Sequence, residues 1–170
     1  MRRTETQVHG HAGVKIWEHD PAGEIETVFA DIAATRMAGL PICNPALSVE
    51  AIGFRLADSG HWVGALVTPW AINLLCLPGH ADWPAAPAGN HYDWSFPSGV
   101  YEFIVADEER LGRYHLCSLF SPAGEFASHE QAQLTALAAI TALFNDPLAA
   151  PVAPVDAVPA SRRAFLGLRG

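Results

Sequence analysis

The side chains able to hold a metal or attack a substrate are eight histidines and three cysteines, and their spacing argues against both chemistries. Cys43, Cys76 and Cys117 stand far apart and form no CxxC pair, so a disulfide framework, a zinc knuckle and a rubredoxin-type iron site lack support. His9 and His11 lie one residue apart in a polar arm, where they could chelate weakly. His61, His80, His91 and His115 are dispersed without HExxH-like spacing. A zinc site would have to be assembled from distant segments. Ser98, within Phe96-Pro97-Ser98-Gly99, is not in a GxSxG elbow, and no glycine-rich phosphate loop occurs. The expectation is no catalytic residue, no cofactor and no resident metal.

The aromatic residues say more. Trp62, Trp70, Trp83 and Trp94 gather in the central third with Tyr92, Phe96 and Tyr101. Core packing accounts for Trp70 as readily as binding does. Trp83 and Trp94 fall in a Pro-rich stretch without periodicity, which suggests a binding rim or a loop anchor; such aromatics dominate protein interfaces.

The elements that must position these residues are legible in outline. Asp20-Pro21 opens a helix, with Asp as N-cap and Pro as first helical residue, and Ile25, Val28, Phe29 and Ile32 follow at helical spacing. Gly39 and Pro41 end it. Ile52, Phe54 and Leu56 alternate, Asp58-Ser59-Gly60 makes a turn, and Trp62–Val67 resumes extended. Trp70–Leu77 is an apolar run of strand length. Pro78 to Gly99 reads as one long loop. Val100–Ala106 and Arg113–Phe120 form another strand pair. Ser128-His129-Glu130-Gln131 is a capping box, and Leu134, Leu137, Ala138, Thr141 and Phe144 are the expected buried stripe of a second helix. The fold class is therefore α+β: an antiparallel sheet flanked by an N-terminal and a C-terminal helix.

Domain organisation follows. Residues 1–13 read as a loose arm, 14–145 as one domain, 146–160 as a Pro/Ala-rich semi-extended linker, and 161–170 as a short basic tail. The 170 residues carry 10 basic and 18 acidic side chains, with Lys15 the one lysine. An acidic chain of this kind lacks the basic stripe that nucleic acid or a polybasic lipid-docking surface requires. Arg2-Arg3 precede Thr4-Glu5-Thr6-Gln7 rather than an apolar segment, and no stretch approaches the ~20 apolar residues of a membrane helix. The expectation is a soluble, unexported, cytoplasmic protein with reduced thiols and no membrane insertion.

The tail holds the sharpest motif. Ser161-Arg162-Arg163-Ala164-Phe165-Leu166 matches the Ser-Arg-Arg-x-Phe-Leu consensus of twin-arginine export signals, but no apolar segment follows it. It reads as an imitation of a signal rather than a working one. A linker of about fifteen residues reaches up to ~45 Å. The tail can therefore act in cis, as a weak plug over its own domain, or in trans, on another partner.

Met37-Ala38-Gly39-Leu40-Pro41-Ile42-Cys43-Asn44-Pro45-Ala46-Leu47-Ser48-Val49-Glu50-Ala51-Ile52-Gly53-Phe54 resembles the opening block of the HybE/HupJ family of [NiFe]-hydrogenase assembly chaperones. Val63-Gly64-Ala65-Leu66-Val67-Thr68-Pro69-Trp70-Ala71-Ile72-Asn73-Leu74 is similar to its central block, and Phe96-Pro97-Ser98-Gly99 and the Ser161–Leu166 motif to later ones. Some relatives carry a fused rubredoxin domain. This chain lacks its cysteine pairs, so that role is not carried over. The resemblance implies a non-enzymatic cytoplasmic chaperone. It would hold the hydrogenase small-subunit precursor with its twin-arginine signal, and the large subunit and other maturation proteins would be further partners. Rival classes are a peptide- or ligand-binding module of another pathway and a nickel or iron carrier in metallocentre assembly.

Charge suggests how such a signal would be held. Residues 1–145 contain 7 basic and 16 acidic residues, a balance near −9. A cationic then apolar peptide needs carboxylates for its guanidinium groups and an apolar groove beside them. Glu50, Asp58, Asp93 and Glu102 are the candidate carboxylates, and Trp62, Trp70 and Phe96 the candidate groove walls. Asn73, the polar residue in its apolar run, would bond within its own fold or offer the peptide a hydrogen bond. Arg162, Arg163, Phe165 and Leu166 complete the set as the imitating tail.

Overall fold

The computed structural model describes residues 14–148; the arm, with His9 and His11, most of the linker, and the tail, with Arg162, Arg163, Phe165 and Leu166, lie outside the described residues. Helix α1 spans Ala22–Ala34. The helix starts one residue later than expected, with Pro21 rather than Asp20 at the N-cap; Asp20 Oδ1, one residue before it, accepts a hydrogen bond from the Ala22 N–H at 2.9 Å. Ile25, Val28 and Phe29 face inward, as their spacing dictates.

Six strands follow: β1 Glu50–Leu56, β2 Trp62–Val67, β3 Ile72–Leu77, β4 His91–Phe96, β5 Gly99–Glu108 and β6 Gly112–Phe120, before helix α2 at His129–Leu143. They form one sheet in the order β1-β2-β3-β6-β5-β4, antiparallel throughout. Two three-strand meanders thus meet at β3 and β6. The connection 78–90 carries the chain across one face to the far edge, and β6 returns to the centre. The expected α+β architecture, an antiparallel sheet flanked by an N-terminal and a C-terminal helix, is the one found.

Strand alternation gives the sheet two faces. Val63, Ala65, Leu74, Cys76, Phe103 and Cys117 point to the α2 side. Leu66, Leu75, Leu77 and Tyr114 point to the α1 side. Burying residues such as Phe103 and Leu74 completely contributes about 1.5–3 kcal/mol each. Helix α1 packs on β1 and the neighbouring core, so the outer β5–β4 part of its face stays open, with Val100 60% and Ile104 41% exposed.

Two expectations need correction. The segment read as a single loop from Pro78 to Gly99 contains β4. Its prolines and glycines lie outside His91–Phe96, which itself alternates polar and aromatic residues; composition masked that period. The second concerns α2. Half of its capping box forms: the Gln131 N–H donates to Ser128 Oγ at 3.2 Å, while Gln131 Oε1 accepts from the Ala127 N–H, one residue before the cap, at 3.0 Å. The buried side, however, is Ala132, Ala136, Ala139, Ile140 and Leu143. Leu134 (61%) and Leu137 (49%) are exposed, as are Ala138 and Thr141, and Phe144 is half-buried. Close approach explains the choice. A Cβ on Gly53, which adopts φ +66°, would meet Ile140 Cγ2 at 2.8 Å, so only small side chains allow the helix this near the sheet. The C-terminal end of α2 reaches the β4–β5 turn, where the Ser98 N–H donates to the Leu143 carbonyl at 3.3 Å and Phe144 packs edge-on to Phe96.

Candidate functional site

Between the crossing connection and the β4 end of the sheet lies a cleft of about 330 Å³. Ser59, His61, His80, Asp82, Trp83, Pro84, Tyr92 and Trp94 line it. Its floor is aromatic. Trp83 packs on Trp94 at 5.4 Å between ring centroids and on His115 at 4.5 Å, and Tyr92 lies 4.8 Å from Trp94. Trp83, expected as a rim or an anchor, is an anchor: it is buried and pins the connection to the sheet. Trp94 is buried in β4 rather than in a loop.

Hydrogen bonds fix the histidines of this floor in neutral forms. His115 Nδ1 accepts the Trp94 indole N–H at 2.9 Å, so Nε2 carries the proton. Burial first, then His61 and Arg113, push the His115 pKa down to about 4. His61 Nδ1 accepts the Gly79 N–H at 3.1 Å, and its ring stacks on His80 at 4.2 Å. Burial, then His80, lowers the His61 pKa as well, against smaller raising contributions from Asp82. Trp83 Nε1 and His115 Nε2 are buried without a hydrogen-bond partner among the described residues. Burial also pushes the Cys76 thiol up, and the Cys117 thiol up to about 11, so both stay protonated and poorly nucleophilic. Among the described residues no three His, Cys, Asp or Glu side chains converge to hold a metal ion.

The candidate carboxylates separate in space. Asp93 and Glu102 are cross-strand neighbours on the open face of β4 and β5, with His91 Nδ1 3.0 Å from Glu102 Oε1. Glu50 is committed elsewhere. Its Oε2 lies 2.6 Å from His129 Nε2, and it accepts from Gln133 Nε2 at 2.7 and 2.9 Å, which ties β1 to α2. Asp58 is exposed on the β1–β2 turn. The groove walls scatter too. Trp62 donates its indole N–H to the Trp17 carbonyl at 2.9 Å, and with Trp70 it packs into the α1-side core. Phe96 is buried on the opposite face, among Tyr101, Phe103 and Phe144. Asn73 Oδ1 is buried with no hydrogen-bond partner among the described residues.

Asp82 and Tyr92 were not singled out as site carboxylate and site wall by sequence. The polar–aromatic alternation of His91–Phe96 was the available signal: it puts Tyr92 on one face of an edge strand and Asp93 on the other.

This α+β scaffold presents an acidic pair, Asp93 and Glu102, on one face of its β4 edge and an aromatic cleft on the other. The chain belongs to the HybE family of [NiFe]-hydrogenase assembly chaperones. Residues 20–168 match the family described as [NiFe]-hydrogenase assembly, chaperone, HybE. Protein HoxT of Cupriavidus necator is 41% identical over 160 residues, covering 88% of this chain and 89% of that protein. Probable rubredoxin HupJ of Rhodobacter capsulatus is 40% identical over 139 residues, 81% of this chain but 50% of HupJ. The solution structure of HybE from Escherichia coli superposes with a TM-score of 0.63 at 24% identity, covering 91% of this chain and 97% of that one, a likeness of fold.

Proposed function

We propose that this chain is a non-enzymatic chaperone that holds the small-subunit precursor of a [NiFe]-hydrogenase, twin-arginine signal included, in the cytoplasm until its cofactors are in place. The large subunit and other maturation proteins are further partners. Membership of the assembly-chaperone family is the observation that carries the reading. The acidic balance suits a cationic signal, and the buried, protonated thiols of Cys76 and Cys117 are poor nucleophiles.

Pull-down of the full chain from cells expressing a hydrogenase operon, read by mass spectrometry, tests it. Enrichment of the precursor that still carries its signal is expected. Recovery of mature subunit alone, or of no hydrogenase protein, overturns the reading.

A further inference from the structure

We propose that the free edge of β4 is a strand-addition site for an extended segment of a partner polypeptide in which two arginines are adjacent. The proposal rests on the client reading above and names where and how the cationic segment is held.

Strand β4 ends the sheet, and among the described residues no element pairs with its outer side. The two-residue connection Pro97-Ser98 makes Phe96 and Gly99 a hydrogen-bonded pair. The main-chain groups of Tyr92, Trp94 and Phe96 therefore face β5. Those of His91, Asp93 and Ser95 face outward, as a template for one more strand.

Side chains on either side of this edge differ in a way that suits adjacent arginines. Asp93, with Glu102 beside it, lies on the open face. Tyr92 and Trp94 lie on the other face, in the cleft that Asp82 also lines. Consecutive residues of an added strand point to opposite faces. Two adjacent arginines thus place one guanidinium at Asp93 and Glu102 and the next over the Tyr92 and Trp94 rings, towards Asp82. Arginine forks a carboxylate and stacks on an aromatic ring, where lysine is a point charge. Arginines separated by one residue would fall on the same face and forfeit one of the two contacts.

Charged residues on an edge strand also guard against unwanted pairing. Here the guard selects. The carboxylates that repel a second copy of this acidic strand attract a cationic one.

The test uses the full chain, isotope-labelled, and a synthetic peptide containing Ser-Arg-Arg-Ala-Phe-Leu, with Arg-Ala-Arg and Lys-Lys versions as controls. The expected result is slowed amide exchange at His91, Asp93 and Ser95 on binding, with the adjacent-arginine peptide about tenfold tighter than either control. D93N and D82N should each weaken binding several-fold. S95P should abolish it by removing an outward N–H donor, and the fold should survive because proline is tolerated on an edge where its missing N–H faces solvent. Retention of the Trp94–His115 indole signal shows that this variant is folded.

Equal affinity for the three peptides overturns the proposal, as does binding that leaves the β4 amides unprotected. Protection of those amides in the free chain that disappears in the R162Q/R163Q variant also overturns it, in favour of the chain's own tail as occupant. Peptide binding away from β4 sinks the edge and leaves the client reading standing. Peptide binding at β4 with no precursor recovered from cells does the reverse.

Discussion

Trp94 of β4 donates its indole N–H to Nδ1 of His115 on β6 at 2.9 Å, spanning the intervening strand β5. The bond joins the edge strand to the centre of the sheet. It also requires His115 to be unprotonated at Nδ1, which makes the join sensitive to acid.

The folded pKa of His115 is about 4, below its ordinary 6.5, so between these values the unfolded chain binds more protons than the folded one. Stability is therefore fully present above pH 6.5 and falls as the pH drops towards 4, by on the order of 3 kcal/mol. His61, lowered in the same direction, steepens the loss. Urea unfolding between pH 7.5 and 4.5 should show it, and H115Q should flatten the slope. A stability independent of pH over that range would contradict the burial argument.

Glu50 should behave as a structural residue. Glu50→Ala strands His129 and Gln133 at a half-buried seam and should cost about 1–2 kcal/mol in urea unfolding. Asp58→Ala, on an exposed turn, should stay within about 0.5 kcal/mol of the parent.

How much of this was legible in the sequence depended on which residues carried the pattern. Helix α1 and the strands β2, β5 and β6 were readable because large apolar residues mark their buried sides. Helix α2 misled because alanines at 132, 136 and 139 face the sheet and leucines at 134 and 137 face solvent. A hydrophobicity pattern weights the larger residue, whereas packing at short range selects the smaller. Strand β4 was hidden by the proline-rich composition around it. The site was less legible than the fold. Asp93 and Glu102 are neighbours only through the β4–β5 pairing, which the composition around β4 hides, and Glu50, equally acidic, is claimed by His129 and Gln133.

The orientation of α2 gives a third expectation. Leu134→Gln and Leu137→Gln should each change stability by less than about 0.5 kcal/mol. Ile140→Ala, which opens a cavity under the helix, should cost about 2–4 kcal/mol, and thermal melts would rank the three variants. The reverse ranking would mean that the helix is rotated.

Metal removal gives a fourth. No ligand cluster converges among the described residues, so dialysis against EDTA should leave the melting temperature unchanged. A structural zinc contributes on the order of 10 kcal/mol to folding, and its loss would lower the melting temperature by many degrees.

The contact between the Ser98 N–H and the Leu143 carbonyl gives the molecule a mechanical joint. It ties the end of α2 to the turn that closes the edge hairpin, with Phe144 packed edge-on to Phe96 beside it. A substitution in the last turn of α2 therefore also reaches the turn at the end of β4. The strand that offers its backbone to the outside thus shares its closing turn with the end of the second helix.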